Sequence, residues 1–310
     1  MKLEGVHHIT AITADAPRNV EFYTGLLGLR MVKCTVNQDD PTVYHLFYGD
    51  EDGSPGMDLT FFEYPGAAPG RPGAGMVHRI LWRVGSPEAL DFWEERLADA
   101  DVASRRSDGG LIFADPEGMD HELLVSTAPD PLLTAASPEI PPEHALLGFE
   151  GARAYAADPG RSEGLLGQAL GFARRGEGSW EVRGDERGGT WVYDTPPPGS
   201  GRQGAGSVHH IAFASQIADH DAWRERAIEG GAHPTPEIDR FYFRSIYFRE
   251  PSGVLFEIAT LGPGFAVDED AAHLGERLSL PPRFEPLREQ LQDTLTPLPY
   301  PPAWRLASHA

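Results

Sequence analysis

The 310-residue sequence predicts an α+β protein of four βαβββ modules paired into two open barrels. Three observations lead there. The stretch "GVHHITAIT" at residues 5–13 returns as "GSVHHIAFA" at 206–214. The turn and strand "DPEGMDHEL" at 115–123 return as "EPSGVLFEI" at 250–258. Between these repeats a glycine-led strand is each time followed by helical spacing and then by several strand-like runs.

Module 1 covers 1–66. Its first strand is "GVHHITAIT", and Asp15 is placed to cap a helix on which Val20, Phe22, Tyr23, Leu26 and Leu27 recur at helical spacing. The alternating run "MVKCTVN" and the stretches "TVYHLFYGD" and "GMDLTFFEY" read as its later strands. Module 2, 74–128, repeats the order with "GMVHRILWRV", the helix "PEALDFWEERLADADV" and the closing "LIFADPEGMDHELLVS". Module 3, 146–198, has "LLGFEGARAYAAD", a helix over "SEGLLGQAL" and strands "SWEVRG" and "GTWVYDT". Module 4, 205–262, runs from "GSVHHIAFAS" through the helix "HDAWRERAIEGG" to "RSIYFREPSGVLFEIAT". Pro- and Gly-rich joints separate them: "YPGAAPGRPGAG", "SPEIPPEH" and "TPPPGSGRQGAG". The middle joint suggests an N-terminal domain 1–135 and a C-terminal domain 140–310. The tail 263–310 lacks strand pattern and reads as short helical pieces wrapped on the surface, with "DEDAAH" as a solvated face. Trp82, Trp93 and Trp223 are expected in the core, as is Cys34.

The charge balance, 26 Lys+Arg against 47 Asp+Glu for a net −21, repels phosphate backbones and anionic lipid, which argues against nucleic acid and membrane as partners. No apolar run is long enough to span a bilayer, and "MKLEGVHHIT" lacks the apolar stretch of a signal peptide, so the chain is expected to be cytoplasmic. The single cysteine excludes an internal disulfide.

Setting the repeats in register isolates the chemistry. On the first strands His8 aligns with His210 and, in module 2, with Arg79. On the last strands Glu257 aligns with Glu122 and, counted from Gly56, with Thr60. Two neutral imidazoles and a carboxylate, His8, His210 and Glu257, form the facial set that holds a divalent iron and keeps positions open on its other side. The three ligands require modules 1 and 4 to share one concave sheet and modules 2 and 3 the other. Arg79 and Glu122 are then expected to pair on a site without metal. Because side chains alternate along a strand, His7 and His209 should point away from the face of His8 and His210.

These residues, with "VEFYTGLLGLRMVKCTVNQDDPTVYHLFYGD", "DRFYFRSIYFREPSGVLFEIAT" and "GFAVDED", resemble the vicinal oxygen chelate superfamily over nearly the whole chain. Within it the sequence is similar to the ring-cleaving extradiol dioxygenases, hydroquinone-cleaving branch. The resemblance implies Fe(II) on His8, His210 and Glu257, with Mn(II) acceptable to the same ligands, and O2 as co-substrate. It further implies catalytic or supporting roles for Tyr247, His209, Thr10, Arg240 and His7, where Arg240 also has Asp239 beside it as an ion-pair partner. The expected partner is a small aromatic diol, and the fold is compatible with a homo-oligomer. Two other readings compete. A glyoxalase-type isomerase or lyase would want a fourth protein ligand where Thr60 stands, and a protein sequestering an aromatic drug would need no metal triad.

Overall fold

A computed structural model describes residues 1–302. Sixteen strands form two eight-stranded sheets among these residues. Module 1 supplies β1–β4 (Val6–Thr13, Arg30–Val36, Tyr44–Gly49, Asp58–Glu63) and module 2 supplies β5–β8 (Met76–Val84, Ser104–Arg106, Gly110–Ala114, Asp120–Val125). Module 3 supplies β9–β12 (Phe149–Tyr155, Ala173–Gly176, Ser179–Arg183, Gly188–Asp194), and module 4 supplies β13–β16 (Ser207–Ser215, Ile238–Asp239, Arg244–Arg249, Leu255–Thr260). One sheet has the order β14-β15-β16-β13-β1-β4-β3-β2, the other β10-β11-β12-β9-β5-β8-β7-β6.

In every module the first strand runs parallel to the last, and the modules join through antiparallel first strands, β1 with β13 and β5 with β9. Modules 1 and 4 therefore make one sheet and modules 2 and 3 the other. Each sheet thus takes one module from either side of the expected boundary between 1–135 and 140–310. The antiparallel joint gives each module's first strand a partner along its open side.

Helical spacing in modules 1 and 3 is realised differently from an ordinary α-helix. Asp15 does cap a helix, accepting from the Arg18 N–H at 3.1 Å, but α1 ends after Ala16–Val20 and continues as a π-helix, Glu21–Leu26. Module 3 repeats this with a 3₁₀ turn, Pro159–Ser162, and a π-helix, Gly164–Ala169. The wider turn aims Tyr23 inward, where its hydroxyl donates to Asp115 (3.0 Å) and meets His121 Nε2 (3.1 Å), while the Trp82 indole donates to His121 Nδ1 (3.0 Å). That buried chain staples module 1 to module 2. Modules 2 and 4 carry ordinary helices, α2 (Pro87–Asp99) and α3 (His220–Glu229), which bury Trp93 and Trp223 against their sheets. No described helix is long and apolar enough to cross a membrane.

The tail packs along the edge strand β2. Ser279 N–H donates to the Cys34 carbonyl at 2.8 Å, and Leu280 and Leu291, the latter on α4 (Arg288–Thr294), cover Val36. Edge coverage of this kind removes a template for aggregation. The run "DEDAAH" is not simply a solvated face. Lys33, fully buried on β2, donates to the Phe265 carbonyl (3.0 Å) and Asp268 (2.8 Å) and pairs with buried Glu269. A buried ammonium must be compensated locally, and two carboxylates of the tail do so.

Candidate metal centre

His8 on β1 and His210 on β13 face each other across the joint between modules 1 and 4, and Glu257 on β16 lies beside them. Their Nε2 atoms are 3.3 Å apart, and both approach the same oxygen, Glu257 Oε2, at 3.1 Å from His8 and 2.9 Å from His210. All three side chains are buried, and they form the one group of potential ligands of this size among the described residues. The strand register puts Ala212 opposite Glu257 and Thr10 opposite Thr60, each two residues beyond the histidine of its strand.

The donor set fits a metal ion. Two donors at right angles on one ion, each bonded at about 2.1 Å, stand about 3.0 Å apart, close to the three distances observed. Both oxygens of Glu257 are buried, and the two imidazoles are the polar groups that approach them. Such a carboxylate is costly unless a cation compensates it. Burial pushes the Glu257 carboxyl up, but His8 and His210 outweigh that and hold it well below the usual carboxylate range. Burial lowers His210, which favours the neutral imidazole that binds metals.

The alternation argument for His7 and His209 fails for a specific reason. The register of β1 on β13 skips His7 between Val6 and His8, and on the opposite strand skips His209 between Thr10↔His210 and Ala11↔Val208. Each of these residues is the extra one of a β-bulge, which re-aims its side chain. His7 Nδ1 thus lies 3.0 Å from His8 Nδ1, and His209 Nδ1 lies 2.7 Å from His210 Nδ1. For His7 the proton can be placed. Its Nε2 is 3.1 Å from the Thr260 carbonyl, which only accepts, so Nε2 carries the proton and Nδ1 is the acceptor. His8 then donates through Nδ1, and its Nε2 faces Glu257 and His210. Burial, reinforced by His8, lowers the His7 imidazole to about 3, consistent with a neutral ring.

Beside the triad opens a cavity of about 310 Å³ lined by Phe47, Phe62, Tyr242, Phe243 and Leu255 among its apolar groups and by His8, His209, His210, Arg240 and Tyr247 among its polar ones. The Tyr247 ring stands 5.7 Å from that of His210, and burial, with Glu257 next, pushes its phenol up, so it stays a hydroxyl. Arg240 Nε donates to the Tyr247 hydroxyl at 3.2 Å. Its ion-pair partner is Asp39 of module 1, not Asp239, whose carboxylate caps the Phe241 N–H at 2.7 Å. Thr10 accepts from Thr60 (2.8 Å), which also meets His45 Nε2 at 3.0 Å. Asp39, His45 and Phe62 belong to the cavity but were not singled out as site residues. Neither histidine nor aspartate nor phenylalanine recurs at the matching places of the other modules to mark them. On the second sheet Arg79 pairs with Glu122 at 3.1 Å.

Two paired-module sheets with a buried cluster of two histidines and one carboxylate define the class, and the chain belongs to the Glyoxalase/Bleomycin resistance protein/Dioxygenase superfamily, whose sequence profile matches residues 5–123 and 144–258. Within that superfamily it is a ring-cleaving dioxygenase. It is 40% identical over 304 residues to MhqO of Bacillus subtilis, assigned as a ring-cleaving dioxygenase, with 96% of this chain and 97% of the relative covered. It is 31% identical over 313 residues to the chlorohydroquinone/hydroquinone 1,2-dioxygenase of Sphingobium indicum, covering 95% and 96% of the two chains. A crystal structure of a protein assigned as a dioxygenase from Bacillus subtilis superposes with a TM-score of 0.89 at 39% identity, over 96% of this chain and 98% of the other. Glyoxalase I from Zea mays shares the fold at 13% identity, with a TM-score of 0.58.

Proposed function

We propose that the protein is an Fe(II)-dependent extradiol-type dioxygenase that uses O2 to open the ring of a hydroquinone or catechol. The observation that carries this reading is the buried carboxylate of Glu257 against two imidazole Nε2 atoms on the wall of an aromatic-lined cavity. The hydroquinone substrate of the Sphingobium indicum relative supports the substrate class.

His8, His210 and Glu257 would hold the ion. When bound, it supplies Lewis acidity toward a phenolic oxygen and an electron path between ring and O2, with coordination positions left over because the protein gives three ligands. The remaining residues act around it. Phe47, Phe62, Phe243 and Leu255 exclude water and present faces and edges to an aromatic ring. Tyr247, kept protonated, offers a hydroxyl at the site, and Arg240 fixes that hydroxyl and stabilises negative charge developing on its oxygen. His209 lines the same cavity, its imidazole lowered to about 4 by burial and by His210. Donation from His210 Nδ1 would place the His209 proton on Nε2, where it can offer a hydrogen bond to an oxygen of the ring. Thr60, at the place of a fourth ligand, is engaged by Thr10 and His45 and leaves the set at three.

Anaerobic purification with metal analysis, followed by oxygen-electrode assays with hydroquinone, methylhydroquinone and catechol, tests this. One iron or manganese per chain and oxygen uptake with a ring-opened product is expected. A metal-replete protein that consumes no oxygen with any diol would refute the reaction, and a chain that binds no metal would refute the centre.

A further inference from the structure

The cavity contains one fixed cation, Arg240, and one carboxylate outside the triad, Asp39. They neutralise each other end to end: Nη1 to Oδ1 and Nη2 to Oδ2, both at 3.0 Å, in the fork geometry that guanidinium groups otherwise offer to a ligand carboxylate. Both members are held in place. Arg240 is anchored by Nε on Tyr247 and by its carbonyl, which accepts from Gln38 at 2.6 Å and from the Tyr242 N–H at 2.8 Å across a tight turn. Phe241, at the centre of that turn, sits at φ +70°, a conformation an L-residue adopts only under constraint. On the other side the Asp39 N–H donates to Asn37 (3.0 Å), and Gln38 is gripped by Arg283 (2.9 Å). Arg240 is mostly shielded, with 16% of its side chain exposed, whereas 73% of Asp39 faces solvent. The clasp therefore stands at the cavity mouth, joining the loop after β2 of module 1 to the loop before β15 of module 4.

Resting on the ring-cleaving reading, we propose that Asp39 determines substrate charge: by occupying the Arg240 fork it confines the cavity to uncharged diols and rejects rings that carry a carboxylate. A ring carboxylate entering this cavity meets a guanidinium already filled and the charge of Asp39 next to it. Without Asp39, Arg240 becomes a receptor for a carboxylate within the space that also holds the triad.

The test compares the full-length wild type with Asp39→Asn and Asp39→Ala, titrated under nitrogen with methylhydroquinone and with 2,5-dihydroxybenzoate. Absence of O2 makes the readout binding rather than turnover. The wild type should prefer the uncharged ring, and both variants should shift the ratio of dissociation constants toward the acid by roughly tenfold or more. An unchanged ratio in both variants overturns the proposal. A shift in Asp39→Ala alone also overturns it, since space and not charge would then be the cause. Failure of the wild type to bind either ring would instead refute the ring-cleaving reading, and this inference with it.

Discussion

Replacing His7 separates the orientation of a ligand from its presence. His7 links the Thr260 carbonyl, 3.1 Å away, to His8 Nδ1, 3.0 Å away, and so holds His8 with Nε2 toward Glu257. His7→Phe removes both bonds from a site that is buried and already in contact with Phe243, at 5.2 Å between ring centres. All three ligands remain. Losing an outer partner of a metal-bound histidine typically costs 10- to 100-fold in affinity, about 1.4–2.8 kcal/mol. His7→Gln can accept from His8 through its carbonyl and donate to Thr260 through its amide, so it should recover much of that loss. Anaerobic competition for Fe(II) or Mn(II) against a fluorescent chelator reads the constants directly. Wild-type affinity in His7→Phe would refute the proton assignment along the chain, and equal losses in the two variants would show that shape, not hydrogen bonding, matters.

Four further outcomes are expected. His8→Ala should lose metal as severely as Glu257→Ala although the two lie in different modules, and retention of a full equivalent in His8→Ala would break the shared-site reading. Tyr247→Phe should keep its metal but turn over the diol roughly 100-fold more slowly, measured by oxygen uptake; unchanged turnover would remove the hydroxyl from the mechanism. Lys33→Met takes the buried ammonium from Glu269 and Asp268, leaving Glu269 with only Arg277 at 3.9 Å, and should destabilise the fold by about 3–5 kcal/mol, read as a lower urea midpoint. His121 gives a pH effect: burial lowers it to about 3 when folded, so the unfolded chain takes up a proton that the native chain refuses. The stability it contributes is complete above about pH 6.5 and declines as pH falls toward 3, with about 2 kcal/mol gone at pH 5. Urea unfolding of His121→Gln at pH 7 and pH 5 should show that much less acid loss than the wild type.

The sequence made the modules and the triad legible because both are written twice. Repetition of "HHI" and of the turn before Glu257 located strands and ligands together, and the need to bring residues 8, 210 and 257 to one point dictated how the modules pair. What escaped lacks a second copy or breaks a period. The bulges at His7 and His209 offset simple alternation by one residue, and nothing in a single strand announces a bulge. The π-turns after Val20 and Glu163 keep the apolar content of an α-helix while changing its pitch. Lys33 reads as an exposed position in an alternating strand until the tail, more than two hundred residues later, folds over it. Asp39 and Arg240 meet only because modules 1 and 4 do, so neither loop discloses the other.

The joint of β1 with β13 also sets when the protein can become active. The three candidate ligands come from the first module and the last, so neither module by itself has a place to hold an ion. Ion capture at this cluster would therefore wait until the sheet shared by modules 1 and 4 has closed.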